Sequence, residues 1–522
     1  MLKARKGVPD FSRKRPTLPR SKMPSSFISP SIVPRPARAL RTAVFSLLLS
    51  LLATPSLLAQ SVNNSPSVPN VTLPGPPNPF LGSAPEGQVT PQVLQIDFKD
   101  AIDRGLRNNL GLLLASDQTE TARGERWKEL SDLLPNLSAR VAENAENESL
   151  AALGFNKLLP LFSPGKNLSG VPRVTPAFNY FDARASLSQS LFNLKDLEQE
   201  RAASESVKAA QFTYKDAREM VVLAVGNAYL QAIAAAARVE TAEAQVNSGQ
   251  ALFDKASDQK KAGLSPAIDA LRSQVELQTR QQQLISARND LAKLKLGIAR
   301  IIGLPPGQQF VLTEKAPYQA LAVLPLDTYL QRAYASRSDY QAALAQVRAA
   351  ELSRKAAAAG RYPTVGLDAN LGDIGVTPSQ SNGTWQVNGG INIPIFAGNR
   401  VHSDVLEADS QLKQAQAKLA DLRGRIDYEV RTALLDLNSA ADQVEVARSS
   451  VDLAEQALTQ SQDRFTAGVA DNLEVVQAQE AVASAHESYI ESLYAHNLSK
   501  VELAHAIGDA EEGVKRFLKG NQ

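Results

Sequence analysis

Two long stretches of the chain contain no proline and are rich in helix-forming residues. They run from Lys195 to Ser265 and from Ile395 to Gln522, and Ala, Leu, Gln, Glu, Lys and Arg dominate both. In the second stretch apolar residues recur every seven positions, at Val405, Leu412, Leu419, Ile426, Ala433, Ala440, Ala447 and Ala454, with a companion series at Val430, Leu437, Val444, Val451 and Leu458. Sustained heptads predict long helices packed side by side as coiled coils.

Each helical stretch is interrupted once, at a glycine. The first break contains Gly263 and Pro266, and the second contains Gly468 followed by Asp471 or Asn472 as the predicted helix cap. Glycine accepts the left-handed backbone at a helix end, and proline suits the first turn of the next helix. The pattern therefore predicts two helical hairpins, at 195–302 and 398–508, closed at Gly303 and Gly508.

Four shorter segments alternate apolar and polar residues and are predicted as strands. They lie near 135–145, 180–192, 363–372 and 385–396. Strict alternation over roughly nine residues is typical of a strand with one apolar and one polar face. An ordinary soluble sheet explains any single strand, but an exported chain with four strands of membrane-crossing length leaves two long edges unpaired. Membrane barrels close with roughly eight or more strands, so several chains are predicted to share one barrel.

The whole pattern of helices and strands occurs twice. Gly263 corresponds to Gly468 at a spacing of 205, whereas Pro135 corresponds to Pro363 at a spacing of 228. The first copy therefore has 23 additional residues between its strands, expected as an enlarged outer loop at roughly 143–178. The predicted repeats are 96–312 and 320–512, followed by a C-terminal tail at 513–522.

The N-terminus has the three regions of a secretory signal. Residues 1–41 contain eleven Lys or Arg and a single acid, and an apolar run and small residues follow. The alternative is a membrane anchor, but the uncharged stretch Thr42–Ala59 is short and broken by Pro55. We predict a signal peptide at 1–59. Residues 60–95 contain eight prolines and are predicted to be a tether or a segment that wraps the surface.

Composition narrows the classes of function. Beyond residue 41 the chain has 45 basic and 53 acidic residues, a net charge of −8, and we expect no nucleic-acid partner. It has no Cys, and its four histidines are expected to be solvated or interface side chains: His402, His486, His496 and His505. No phosphate-binding loop or nucleophile motif is present, so we expect no enzyme, cofactor or metal. No apolar run after the leader is long enough to predict a membrane-spanning helix.

Together these features resemble the TolC-like outer membrane factors of Gram-negative efflux pumps and type I secretion systems. The resemblance covers nearly everything from Ile96 to Gly508. The resemblance rests on the duplication and on three sets of residues. These are Pro135 and Pro363, which open the first strand of each copy, the Pro394–Gly398 junction with its equivalent Leu191–Asn193, and the tip pattern Arg464-Phe465-x-x-Gly468. No single motif is specific, but the ordered set occurs twice.

The resemblance implies a mainly α fold with β: four strands per chain in a trimeric twelve-strand transmembrane β-barrel, and long helices in an α-barrel tunnel. A homotrimer would sit in outer membrane lipid and extend into the periplasm. It would meet a periplasmic adaptor protein and, through it, an inner membrane transporter. The expected adaptor-docking residues at the tips are Gly263, Leu264, Arg464, Phe465, Gly468 and Val469.

The resemblance also implies an acidic constriction at the tunnel entrance. Asp269 follows Gly263 by six residues, and Glu474 follows Gly468 by six. A further acid three positions on, found in some relatives, is replaced here by Arg272 and Gln477. The alternative is that both acids only stabilise the positive N-terminal ends of their helices.

The predicted function is passive export through an outer membrane channel. The main alternative is an extracytoplasmic coiled-coil scaffold or adaptor, which accounts for the heptads and the signal but not for four alternating strands at matched places in two copies. An enzyme is the weakest alternative, because no nucleophile, metal set or cofactor loop is present. The cargo is not specified by these features.

Overall fold

The computed structural model describes residues 78–150, 152–154, 174–314, 318–321 and 324–519. The predicted signal peptide and most of the predicted outer loop lie outside the described residues. The described helices are α1 (Phe98–Asn108), α2 (Leu110–Ser131), α3 (Leu194–Lys261), α4 (Ala267–Ile302), α5 (Leu326–Ser336), α6 (Ser338–Ala359), α7 (Arg400–Thr466), α8 (Asn472–Ala506) and α9 (Ala510–Lys519). Two single 3-10 turns, Pro79–Leu81 and Pro378–Gln380, are also present.

The strands form two sheets. They are β1 (Leu94–Ile96), β2 (Asn136–Glu146), β3 (Phe178–Phe192), β4 (Phe310–Leu312), β5 (Thr364–Gly375) and β6 (Ser381–Asn392). The larger sheet is antiparallel with the order β2-β3-β5-β6, and β1 pairs with β4 in parallel. Strand β3 therefore pairs with β5, which joins the two copies in one sheet and leaves β2 and β6 as its edges.

Equivalent elements of the two copies have nearly equal lengths. The short helices α1 and α5 both have 11 residues, and α2 and α6 both have 22. The long helices α3 and α7 have 68 and 67 residues, and the returning helices α4 and α8 have 36 and 35. The strand connections differ instead: residues 147–177 join β2 to β3, whereas residues 376–380 join β5 to β6. The additional residues of the first copy thus lie between its strands.

Two apolar clusters hold the short helices against the long ones. In the first, Ile102 of α1 packs with Tyr229 of α3, whose hydroxyl donates a hydrogen bond of 3.1 Å to the Ile96 carbonyl. In the second, Tyr329 of α5 packs with Ile426 of α7. These clusters pin each hairpin near its open end. The long helices then extend from there to the glycine turns.

The part of the proline-rich segment that the structure describes is not a free tether. Phe80 packs so closely on α2 that a Cβ at Gly111 would lie 2.5 Å from its ring, and Asn109 donates to the Phe80 carbonyl at 2.7 Å. Further along, Thr90 N–H donates to Gln308 Oε1 at 2.8 Å, just before β1 pairs with β4. Of the two predictions for residues 60–95, wrapping describes residues 78–95.

Two predicted boundaries are wrong. Strand β6 ends at Asn392, because its partner strand β5 begins at Thr364, the residue paired with Asn392. Ile395 beyond that point is 94% exposed and outside the sheet, although the alternation continues to it. The predicted tail at 513–522 is mostly the helix α9, and Val514 in it is fully buried in the first apolar cluster.

The expectation that no apolar run after the leader could span a membrane is also wrong. Helix α3 contains an 18-residue window of mean hydropathy 1.7, sufficient by length and composition. However, 56% of that window is buried inside the protein. There Gly226 of α3 allows close approach of Val501 of α8, since a Cβ at this position would lie 3.3 Å from it. The apolar stretch therefore serves the packing of the helices.

Candidate functional site

The two hairpin tips have the same backbone turn. Gly263 and Gly468 have φ angles of +73° and +72°, a left-handed conformation that glycine adopts without strain. In both tips the glycine N–H and the following N–H donate to carbonyls of the last helical turn, at 2.8–3.1 Å. The residues after the glycines, Leu264 and Val469, are strongly exposed. Each tip thus presents one uncovered apolar side chain.

The other two predicted docking residues, Phe465 and Arg464, differ in exposure. Phe465 is buried in a small cluster with Leu252 and Val475, and the ammonium of Lys255 lies 5.6 Å from its ring centre. Its side chain therefore joins the two hairpins. Arg464 remains largely exposed, and its Nε lies 3.1 Å from a carboxylate oxygen of Glu474.

The two predicted constriction acids have different surroundings. The side chain of Asp269 is 12% exposed, and its carboxylate lies 3.9 Å from Arg272. The side chain of Glu474 is 39% exposed and forms the ion pair with Arg464. Both acids lie in the first turn of their helices, where the helix dipole favours a negative charge. The spacing from the glycine is equal, yet one acid faces the packed interior of the tips and the other faces solvent.

A buried asparagine connects the two tips. Asp471 is the cap of α8, since its Oδ1 accepts from the Glu474 N–H at 3.2 Å. The next residue, Asn472, is fully buried, and its Nδ2 donates to the Asp269 carbonyl at 3.1 Å and to Ser273 Oγ at 2.7 Å. The sequence pattern allowed either residue as cap. We call this pair of hydrogen bonds from Asn472 the clamp. The sequence pattern does not predict the clamp, because its partners lie some 200 residues away in the chain.

At the other end of the long helices, the four-stranded sheet has one strongly apolar face. Leu371 of β5 lies opposite Trp385 of β6, and the same face carries Leu137 and Val141 of β2. Leu137 and Trp385 are 75% and 76% exposed. The opposite face carries polar residues, such as Asn370 of β5 and the residues paired with it on the adjacent strands. An apolar face without protein cover is what a lipid-facing barrel wall requires.

Of the two expectations for the histidines, solvated or interface side chains, the first does not hold for His496. His496 of α8 is fully buried beside Lys500, with its ring 5.1 Å from the ring of Tyr318. Lys500 donates a hydrogen bond of 2.5 Å to the Gln319 carbonyl. Burial lowers the pKa of Lys500 to about 8 and, with the neighbouring ammonium, the pKa of His496 to about 4. Among the described residues, no group of His, Asp and Glu is arranged to hold a metal ion.

An uncovered apolar sheet at one end of long paired helices is typical of a protein that lies partly in a membrane, and comparison with known proteins identifies its class. Residues 102–304 and 329–509 match the outer membrane efflux protein family. The match covers most of both repeats. The chain belongs to this family.

Two relatives show the range of the family. The alkaline protease secretion protein AprF of Pseudomonas aeruginosa is 22% identical over 417 residues, which cover 74% of this chain and 84% of AprF. The outer membrane efflux protein BepC of Brucella suis is 24% identical over 410 residues, covering 75% of this chain and 86% of BepC. Among solved structures, the outer membrane protein VceC of Vibrio cholerae matches with a TM-score of 0.65 at 19% identity, covering 80% of this chain and 97% of VceC.

The protein is accordingly an outer membrane channel of the class that serves efflux pumps and type I secretion. It lies in the outer membrane of a Gram-negative bacterium and extends into the periplasm. The family membership favours this function over the coiled-coil scaffold. The helices and strands predicted from periodicity have the fold of these channels.

Proposed function

We propose that three copies of the chain close into one passive conduit, with a twelve-strand barrel and a tunnel of long helices. The sheet supports this proposal, because its two edge strands each have one hydrogen-bonded neighbour in the chain. Strands β2 and β6 have 11 and 12 residues, so they match in length. Joining β2 of one copy to β6 of the next leaves the four-stranded sheets with no unpaired edge strand.

The long helices support the same closure. Over the half of the long helices nearest the tips, α3 packs on α4 and α8, and α8 packs on α7, so α4 and α7 are the outer members of the row there. Both outer helices carry large apolar side chains that no described residue covers: Ile268, Leu271, Val275, Ile285 and Leu296 on α4, and Leu435, Val446 and Leu453 on the facing length of α7. Contact between α4 of one copy and α7 of the next would bury them.

The observation that carries the proposal is the placement of two different surfaces at opposite ends of the same helices. The uncovered apolar sheet belongs in outer membrane lipid, and the two glycine tips lie at the far end of helices about 100 Å long at ~1.5 Å per residue. We assign the tips to a periplasmic adaptor and, beyond it, an inner membrane transporter that supplies the energy. The docking residues are Gly263, Leu264, Arg464, Gly468 and Val469 on the surface, with Phe465 supporting them from inside.

We assign the entrance constriction to Asp269 and Glu474, with Glu474 as the acid that meets passing ions. The conduit itself uses no catalysis and no cofactor. Since the named relatives include a protease secretion protein and an efflux protein, we propose export of small molecules or proteins, with selection made by the inner membrane partner.

The test is the oligomeric state of the chain extracted from outer membranes. We expect a detergent-extracted trimer that chemical cross-linking converts to a single three-chain band. Leu435→Glu should weaken the trimer, because it places a charge in the proposed α4–α7 contact. Gln414→Glu, on an exposed polar position of the same helix, should leave it intact. A monomer, or release from membranes by salt alone, would contradict the proposal.

A further inference from the structure

The polar face of the four-stranded sheet carries two arginines that the proposed function leaves unused. Arg140 of β2 lies directly opposite Arg184 of β3 in the antiparallel register. Directly opposed side chains share a face, with Cβ atoms ~4.5–5.5 Å apart. Both guanidinium groups therefore project from neighbouring points, on the side of the sheet opposite to Leu137 and Trp385.

The next strand is shaped to accept Arg184. Its partner on β5 is Gly372, and a Cβ there would lie 2.8 Å from Arg184 Cγ and 2.1 Å from the Ala183 carbonyl oxygen. Any larger residue would displace the arginine side chain or the strand. Arg184 Nε in turn donates to Asp182 Oδ1 at 2.6 Å, which holds the guanidinium in place on this face.

The positive charge of the pair exceeds the nearby negative charge. Asp182 is the carboxylate close to both arginines, and Arg140 makes no ion pair with any described residue. Other acids on the polar face are farther along the strands. Glu146 is six residues from Arg140 along β2, which is ~20 Å at ~3.3 Å per residue. Asp368 lies opposite a residue of β3 that is four positions from Arg184, which is ~13 Å at the same spacing. Each copy thus adds one net positive charge at this level.

Closing the barrel adds no compensating charge. The strand that meets β2 from the next copy is β6, and the sequence of β6, Ser381–Asn392, contains no charged residue. Arg140 lies on the edge strand at this junction, so its neighbour across the copies is uncharged. Among the described residues Asp182 balances one of the two arginines, so the counter-ion of the excess charge comes from the solution in the barrel.

We infer that Arg140 and Arg184 form a cationic belt inside the barrel that binds the anionic groups of passing molecules, such as carboxylate, sulfonate or phosphate. The inference rests on the proposed three-chain barrel, in which the polar face lines the lumen. Guanidinium groups pair with such anions through parallel hydrogen bonds. The belt is opposite in sign to the acidic entrance, so the two ends of the conduit favour different charges.

The test uses the absence of cysteine from the chain. Ser138→Cys places a unique thiol two residues from Arg140 on the same face. Its rates of reaction with an anionic and a cationic methanethiosulfonate reagent are measured in outer membrane vesicles, each relative to a free thiol. A positive belt makes the anionic reagent about fivefold faster than the cationic one, since lumen potentials reach several kT.

The deciding variant is Arg140→Gln, which breaks no ion pair among the described residues. It should lower the ratio of anionic to cationic rates about threefold, and Asp182→Asn should raise it, because the lumen potential follows the local charge. An unchanged ratio in Arg140→Gln would overturn the belt. Leu137→Cys on the apolar face serves as the control for the barrel. If it reacts as fast as Ser138→Cys, the barrel itself is wrong, whatever the ratio.

Discussion

The two hairpin tips share a backbone and differ in their side chains. Gly263 and Gly468 adopt the same left-handed turn, and an acid follows each glycine by six residues. Asp269 is nevertheless enclosed beside the clamp formed by Asn472, whereas Glu474 remains partly exposed and paired with Arg464. In a duplicated chain, equal turns therefore do not imply equal chemistry. The second tip supplies the Asn472 side chain that binds the backbone carbonyl of Asp269 in the first tip.

The same asymmetry recurs along the returning helices. Lys295 of α4 and Lys500 of α8 are 205 residues apart and occupy equivalent positions. Lys295 donates to the Phe310 carbonyl at 3.5 Å and is partly exposed, whereas Lys500 is fully buried against the segment that joins the two copies. Lys500 contacts a segment that precedes its own copy, whereas Lys295 contacts the strand β4, which follows its helix. Differences between the copies thus arise where one copy packs on the other.

The largest expected effect comes from altering the feature that the tips share. Gly263→Val together with Gly468→Val should abolish export, because a branched residue at positive φ costs roughly 1–3 kcal/mol of local strain at each tip. Trimers should still assemble, since no atom lies within 4 Å of a Cβ built at either glycine. Efflux of a dye from cells that carry the variant as their only copy measures the effect.

Gly424→Val is the matched control, since it lies within α7, away from the tips, with the same open space around its Cβ. It should assemble and export like the parent, apart from a small loss of stability. Normal export by the double tip variant would show that the tips do not dock the adaptor. Intermediate export from each single variant would show that the two tips contribute separately.

The second prediction separates the two acids. Glu474→Gln should weaken the cation preference of single channels in a planar bilayer, because three exposed carboxylates leave the entrance of the trimer. Asp269→Asn should change the preference less, since its carboxylate is enclosed within the tips. Reversal potentials in a salt gradient give the comparison. A larger effect from Asp269→Asn would reverse the assignment, and no effect from either would make both acids simple helix-start residues.

The smallest expected effect concerns the two lysines. The unfolded chain keeps the proton of Lys500 up to its ordinary pKa of ~10.4, whereas burial lowers the folded pKa to about 8. Between these values the unfolded state binds more protons, so the free energy of unfolding rises with pH by roughly 1–3 kcal/mol. Lys500→Met should remove this rise.

Thermal unfolding of the detergent-extracted protein at a series of pH values above 7 measures the difference between parent and variant. Lys295→Met, at the equivalent position of the first copy, is the control and should leave the slope with pH as in the parent. Burial and the neighbouring Lys500 lower the pKa of His496 to about 4, so this imidazole contributes nothing in this range. Equal slopes in the parent and in Lys500→Met would show that the buried ammonium does not titrate there.

Most of the helices and strands could be predicted because their signals are local. A heptad or an alternation of apolar and polar residues is recognised within one stretch of sequence, and a glycine turn is recognised from a few consecutive residues. The end of β6 was misplaced by such local reasoning. The alternation continues to Ile395, but pairing stops at Asn392, opposite the first residue of β5. A strand ends where its partner strand ends. The pairing register between two distant segments cannot be predicted from either segment alone.

By itself the sequence determined the two hairpins, their glycine turns and the apolar and polar faces of the strands, because each depends on periodicity or backbone conformation over a short span. Only the tertiary structure decided that Asn472 clamps Asp269, that Phe465 points inward and that Arg140 lies opposite Arg184. These arrangements join residues far apart in the chain. The burial and the charge environment of these residues depend on which distant segment packs against them. They therefore follow from tertiary packing rather than from a local sequence pattern.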